Sequence, residues 1–282
     1  MKLFRTGAEW NPLWLKHLQK NQEIGLVPTM GALHEGHLDL VRKSKQTTDL
    51  TLVSIFVNPT QFNNPVDFAK YPITLEADLE KLAEAGVDYV FLPDVMEMYP
   101  TPTVLKFDFG HLENVLEGKY RPGHFNGVGV VVSKLFHILR PNVAFFGQKD
   151  LQQVAIIRRL VNDLSFKLKL DIVPTKREID GLAMSSRNVR LNQEDRGKAL
   201  ILFNSLEKAK AELFSGRKWL EVQKGIEADF GQISSVRLDY FELVHPESFV
   251  IYEDFSLEEK SSICVAAYLD DVRLIDNFPV IS

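Results

Sequence analysis

Cysteine is nearly missing from this chain: Cys264 is the only one in 282 residues. No internal disulfide framework is available, and no cysteine cluster stands near the histidines to complete a zinc site. Long apolar runs are missing as well. No stretch approaches the roughly 18 consecutive apolar residues of a membrane-spanning helix. The opening segment "MKLFRTGAEWNPLW" lacks the apolar core of a signal peptide. The expectation is a cytoplasmic protein that makes no use of a membrane. Basic excess is the third absence, since 33 Lys and Arg stand against 38 Asp and Glu for a formal charge of −5. That argues against a general nucleic-acid binder, yet leaves room for a local cationic pocket and an anionic small molecule. No G-x-x-x-x-G-K-[ST] loop, internal repeat or low-complexity tract occurs either.

What is present is alternation. "EIGLVPT", "LTLVSIFVN", "VDYVFLPD", "NVAFFGQKD" and "KLKLDIVPT" read as strands. Between them, "GHLDLVRKSKQ", "TLEADLEKLAEAG", "NGVGVVVSKLFHILRP" and "LQQVAIIRRLVNDL" carry helical spacing of apolar residues. Strands alternating with helices imply an α/β domain with a mostly parallel sheet, over residues 1–175. Beyond it the pattern changes to two helices, "EDRGKALILFNSLEKAKAELFSG" and "WLEVQKGIEADFG". Three strands follow, "VRLDYFELV", "SSICVAAYL" and "VRLIDN", with a turn at Asp270-Asp271. Residues 176–282 therefore read as a smaller α+β C-terminal domain.

Polar clusters follow three of the strands, where open α/β sheets bind ligands. The first, "MGALHEGH", covers Met30, Gly31, Ala32, Leu33, His34, Glu35, Gly36 and His37. A plain structural role, a zinc site and a phosphate site are all open for its histidines. The phosphate reading rests on glycines that let backbone approach a ligand and on a helix N-terminus that favours anions. Two imidazoles there could donate to phosphoryl oxygens, more strongly if protonated. The second cluster holds Asn58 and Gln61, which either satisfy a turn or read hydroxyl and carboxylate groups. The third is Gly147, Gln148, Lys149 and Asp150, followed by Gln152 and Gln153. Later, "DGLAMSSRN" brings Met184, Ser185, Ser186 and Arg187 into one loop, a combination suited to polyphosphate.

Taken in order, "VPTMGALHEGH", "SIFVNPTQF", "RPGHFNGV", "FFGQKDLQQ", "DGLAMSSRN" and "RLIDN" resemble the blocks of the pantoate–β-alanine ligase family. The resemblance implies a Rossmann-like nucleotidyltransferase domain with a smaller C-terminal lid, a homodimer, and ATP-dependent joining of pantoate to β-alanine through an acyl-adenylate. It implies catalytic roles for His34, His37 and Lys149, with nucleotide contacts from Met30 to His37, Gly147 to Asp150, Lys176 and Met184 to Arg187. Asn58, Gln61 and Gln153 would hold pantoate. A Mg²⁺ requirement is implied too, with Asp78 at the family's acidic position, although Ala77 stands where relatives can carry another carboxylate. Arg121 and His124 either approach the phosphates or shape a loop. Three alternatives remain: a nucleotidyltransferase acting on a phosphorylated metabolite, a class I aminoacyl-tRNA synthetase, and a nucleotide-sensing module without turnover.

Overall fold

The computed structural model describes residues 1–281. Six strands form one sheet: β1 (Lys2–Phe4), β2 (Ile24–Thr29), β3 (Leu50–Ile55), β4 (Tyr89–Phe91), β5 (Val143–Gly147) and β6 (Lys169–Val173). Their order is β1-β4-β3-β2-β5-β6, and every pairing is parallel. Helices Glu35–Thr47, Leu75–Glu84, His124–Leu139 and Leu151–Asp163 lie between the strands in sequence. The alternation of side chains along each strand sorts the core into two layers. Leu26, Leu52, Phe91 and Ala144 join one apolar cluster. Their neighbours Val27, Val53, Val90 and Phe145 join another. Burial on both faces is why these strands read as continuous apolar runs. Each such side chain contributes roughly 1.5–3 kcal/mol.

Strand order reverses between β2 and β5. The loops leaving β2, β3 and β5 are thereby gathered at one edge, as an open α/β sheet requires. The edge strand β1 and the helix Gly7–Gln19 had no counterpart in the sequence reading. Three residues of strand carry too little pattern to stand out, and β1 is held by its ladder with β4.

The C-terminal part is a three-stranded antiparallel sheet, β7 (Val236–Val244), β8 (Ser261–Leu269) and β9 (Val272–Ile281). The β8–β9 turn is Asp270-Asp271 as expected, with Asp270 at φ +49°. The long helix expected from Glu194 onward is broken, into Gln193–Lys198 and Leu200–Phe214. Gly197 lies just before the break, where its backbone freedom weakens the helix. A third apolar cluster joins the two parts: Phe125, Leu151 and Ile156 pack with Tyr240, Phe249 and Cys264.

Candidate active site

One cleft runs along the β2, β3 and β5 ends and is closed on its far side by the 184–187 loop and by Ile275, Asp276 and Asn277 in the middle of β9. Into it come His34 and His37, Lys149 and Asp150, Gln61 and Gln153, and the 184–187 loop. Residues separated by more than 150 positions thus share one cleft.

The histidine segment is built differently from the sequence expectation. His34 caps the helix Glu35–Thr47, its Nδ1 accepting the Gly36 N–H at 3.2 Å. His37 Nδ1 in turn accepts the His34 N–H at 3.4 Å. The two rings lie 4.1 Å apart in a reciprocal capping box. Gly36 makes room for this, since a Cβ there would meet the His34 ring at 2.9 Å. The first-turn amides of Gly36 and His37 are engaged internally, so an anion would meet side chains here more than main-chain N–H groups. Because each Nδ1 accepts, the ring proton sits on Nε2 and each imidazole has one N–H left to donate.

Both rings are neutral in the ligand-free protein. Burial first, then His37 and Lys149, hold His34 down at about 3. Burial, Lys149 and Lys81 hold His37 at about 4. His124 is lowered to about 3 by burial and by Arg121. Below pH 6.5 the unfolded chain takes up protons that the folded protein refuses until pH 4 or lower. Stability therefore falls as pH drops from about 6.5 toward 4. NMR titration should leave the Cε1–H signals of His34 and His37 at their neutral positions at pH 5. A midpoint near 6.5 for either ring would contradict this environment.

Asp78 does not stand free. It is buried, and its carboxylate accepts the N–H of Ala32 at 2.8 Å and of Leu33 at 2.7 Å, with Thr74 Oγ1 adding 3.1 Å. These bonds hold Gly31 at φ +81° and Ala32 at φ +49°, the left-handed region that costs a non-glycine residue about 1 kcal/mol. Lys81, one helical turn on, closes the same loop by donating to Leu33 O at 2.6 Å. Among the described residues no group of three or more His, Cys, Asp or Glu is placed to hold a metal ion. The residues present do not form a magnesium cage, and these bonds give Asp78 support of the loop beside the metal role expected of it. Asp78→Asn is expected to destabilise the protein by about 2 kcal/mol in buffer lacking nucleotide and magnesium. Thermal melting checks it, and an unchanged melt without ligand would leave Asp78 the metal role alone.

The amide cluster divides into support and presentation. Asn58 has every polar atom engaged: Nδ2 donates to Gln61 Oε1 (3.0 Å) and Gly127 O (3.2 Å). Its Oδ1 accepts from Tyr99 Oη (2.7 Å) and Thr60 Oγ1 (3.1 Å). Asn58 therefore positions Gln61 instead of presenting a polar atom to a ligand. Among the described residues Gln61 Nε2 reaches only Met30 Sδ (3.1 Å) and keeps a donor toward the cleft. Gln152 and Gln153 both line the cleft, and the Gln152 amide is bonded to Glu117 N, Leu112 O and Val115 O. His124 Nδ1 donates to Gln61 O at 2.7 Å, so it shapes the loop. Arg121 lines the cleft with only a 3.5 Å contact to Glu117.

On the opposite wall, Ser186 donates to Ala32 O at 2.9 Å, and Ser185 accepts from Arg187 N at 3.2 Å. Arg187 is paired with Asp67 at 2.8 Å, as is Arg190 at 3.0 Å. Burial pushes the Asp67 carboxyl up, but these guanidiniums outweigh it and hold it below the ordinary carboxylate range. Lys176 pairs with Asp39 at 3.1 Å at the cleft rim. Glu35 points away, exposed and bonded to Arg42 at 2.8 Å. Among the described residues the Lys149 ammonium touches only Asp150, at 3.5 Å, and Asp150 makes no cap hydrogen bond to its helix. Lys81, Tyr99 and Asn277 were not singled out from sequence. Lys81 had a local signal in its three-residue spacing from Asp78, and Asn277 in closing the "RLIDN" block.

Fold and site define a class: a Rossmann-like α/β enzyme whose switch-point cleft sets cationic and N–H donors beside uncharged amides. The family model for pantoate–β-alanine ligase matches residues 2–279. A pantothenate synthetase of Leptospira biflexa is 48% identical over 267 residues, 94% of each chain. One of Cytophaga hutchinsonii is 44% identical over 264 residues, 93% of each. The crystal structure of the Thermus thermophilus pantothenate synthetase superimposes with a TM-score of 0.92 at 40% identity over the whole of both chains. The Francisella tularensis ligase, described as complexed with βγ ATP and β-alanine, gives 0.83 at 37%, covering 99% of this chain and 98% of that one. The chain belongs to the pantoate–β-alanine ligase family. It is a ligase.

Proposed function

We propose that this enzyme joins pantoate to β-alanine in two steps on ATP, through pantoyl adenylate. The observation that carries the reading is the division of one cleft: Lys149 and two neutral histidines at one part, and Gln61 and Gln153 beside them. Pantoate is ionised at neutral pH, so its carboxylate oxygen attacks the α-phosphorus without a general base. The bond from that phosphorus to pyrophosphate breaks. What the step needs is alignment of two anions and donors for the charge on the leaving group. Lys149 and the Nε2–H groups of His34 and His37 supply these, and Ser185, Ser186 and Arg187 flank the phosphates. Asp150 is free to meet the ribose, and Gln61 and Gln153 hold the pantoate carboxylate and hydroxyls. The β-alanine amine then attacks the acyl carbonyl, loses a proton and expels AMP. Magnesium would accompany ATP and neutralise charge on its phosphates. A homodimer in the cytoplasm belongs to the same proposal.

The test follows ATP, Mg²⁺ and pantoate by mass spectrometry, first without and then with β-alanine. Pantoyl adenylate in the first tube, and pantothenate with AMP in the second, are expected. ATP left intact in both by folded protein would overturn the reading.

A further inference from the structure

We propose that Asn277, on the last strand of the C-terminal sheet, is a positioning residue that sets the place of Lys149 in the cleft. The proposal rests on the catalytic reading of Lys149 above. The turn that carries this lysine, Gln148–Asp150, is a single tight helical turn. Neither Gly147 before it nor Asp150 at its end supplies a side-chain cap. What holds it comes from about 130 residues away: Asn277 Nδ2 donates to Gln148 O at 2.9 Å and to Lys149 O at 2.8 Å. Both partners are main-chain carbonyls, which can only accept. The amide orientation is therefore forced, and both its hydrogens are directed at the turn.

Asn277 is itself held fast. It is 3% exposed, and its N–H donates to Asp276 Oδ1 at 2.7 Å. Asp276 is clasped by both terminal nitrogens of Arg177, at 2.7 and 3.0 Å, and Arg177 also donates to Asn277 O at 3.2 Å. The Arg177 guanidinium lies 5.0 Å from the Phe203 ring and 5.4 Å from Phe278. A rigid post in the C-terminal part thus ends in two donors under Lys149. The Lys149 side chain has one loose partner at 3.5 Å among the described residues, so its main chain decides where its ammonium sits. Displacement of a reacting group by about 1 Å can lower a rate 10²-fold.

A double-mutant cycle tests this, with Asn277→Ala, Lys149→Ala and the pair, each checked by thermal melting. Asn277→Ala is expected to lower the turnover of adenylate formation by on the order of 10²-fold, with the pantoate KM little changed. On the Lys149→Ala background the same change should cost less than about twofold, because the two positions act as a unit. Losses that multiply, or a variant that melts lower at full turnover, would overturn the proposal. Asn277→Ser keeps one donor and should recover part of the loss; it carries the cycle where the alanine variant does not fold. Wild-type protein that forms no adenylate would sink the ligase reading alone. The cycle is then read in the ATP dissociation constant by calorimetry, where additivity overturns the positioning role and coupling sustains it.

Discussion

Lys149→Ala is expected to slow pantoyl adenylate formation by on the order of 10²–10³-fold, the usual loss when one preorganised charge donor is removed. The fold should be indifferent to it. The lysine's ion pair, to a half-exposed Asp150 at 3.5 Å, is of the kind that contributes between about 0 and 1 kcal/mol. A second readout separates charge from shape. Lys149 is among the groups that hold His34 and His37 low. Its removal should move both histidine midpoints upward, leaving burial as the main cause of what depression remains. Pyrophosphate release at the wild-type rate in this variant would remove Lys149 from the first step. Unmoved histidine midpoints would show that its ammonium does not face the two rings.

The largest expected effect on stability lies at Arg273. Its two terminal nitrogens donate to Glu117 at 2.8 and 2.7 Å and its Nε to Asp239 at 2.8 Å, while Tyr240 Oη adds a bond to Glu117 at 2.8 Å. Glu117 and Asp239 side chains are 7% and 2% exposed. Arg273→Met fills much of the space but takes the bidentate partner from buried Glu117, while Asp239 keeps Arg237 at 2.9 Å, and this costs about 3–5 kcal/mol. The melting temperature should fall by on the order of 10 °C. The deficit should also depend on pH with a definite sign. Burial pushes the Glu117 carboxyl up, but Arg273, Arg121 and Tyr240 outweigh it and bring it to about 2. A depressed carboxyl contributes stability above its unfolded value of about 4.5, and that contribution is lost as pH falls through 2. The gap between wild type and Arg273→Met should therefore narrow from pH 5 toward pH 2. A gap that stays constant over that range would mean that the charge of Glu117 is not what Arg273 serves.

How much of this was readable in the chain depends on how local each cause is. β2 and β3 are apolar because they are buried on both faces, and that property is written into consecutive residues such as Leu26-Val27 and Leu52-Val53. The polar segments after β2, β3 and β5 were readable for the same reason, since each follows its strand directly. The details of the site were not. Asn58 and Gln61 look alike in sequence, and only Tyr99 and Gly127, 41 and 69 residues away, make one a support and leave the other free. Nothing in the segment announces that Gly36 makes room for a histidine ring. The anchoring of a strained loop by Asp78 was not readable, because its bonds span 45 and 46 residues. The clamp between Glu117 and Arg273 spans 156 residues and leaves no pattern in either segment.

Activation of a carboxylate at the α-phosphorus is the centre of the proposed chemistry, and labelled oxygen follows it most directly. Pantoate carrying oxygen-18 in both carboxylate oxygens would be turned over with ATP and β-alanine, and the nucleotide product examined by mass spectrometry. Attack at the α-phosphorus predicts that each AMP carries a single oxygen-18 taken from pantoate, with unlabelled pyrophosphate. ADP with labelled inorganic phosphate, or AMP without label, would contradict it and place the chemistry of this cleft elsewhere on the nucleotide.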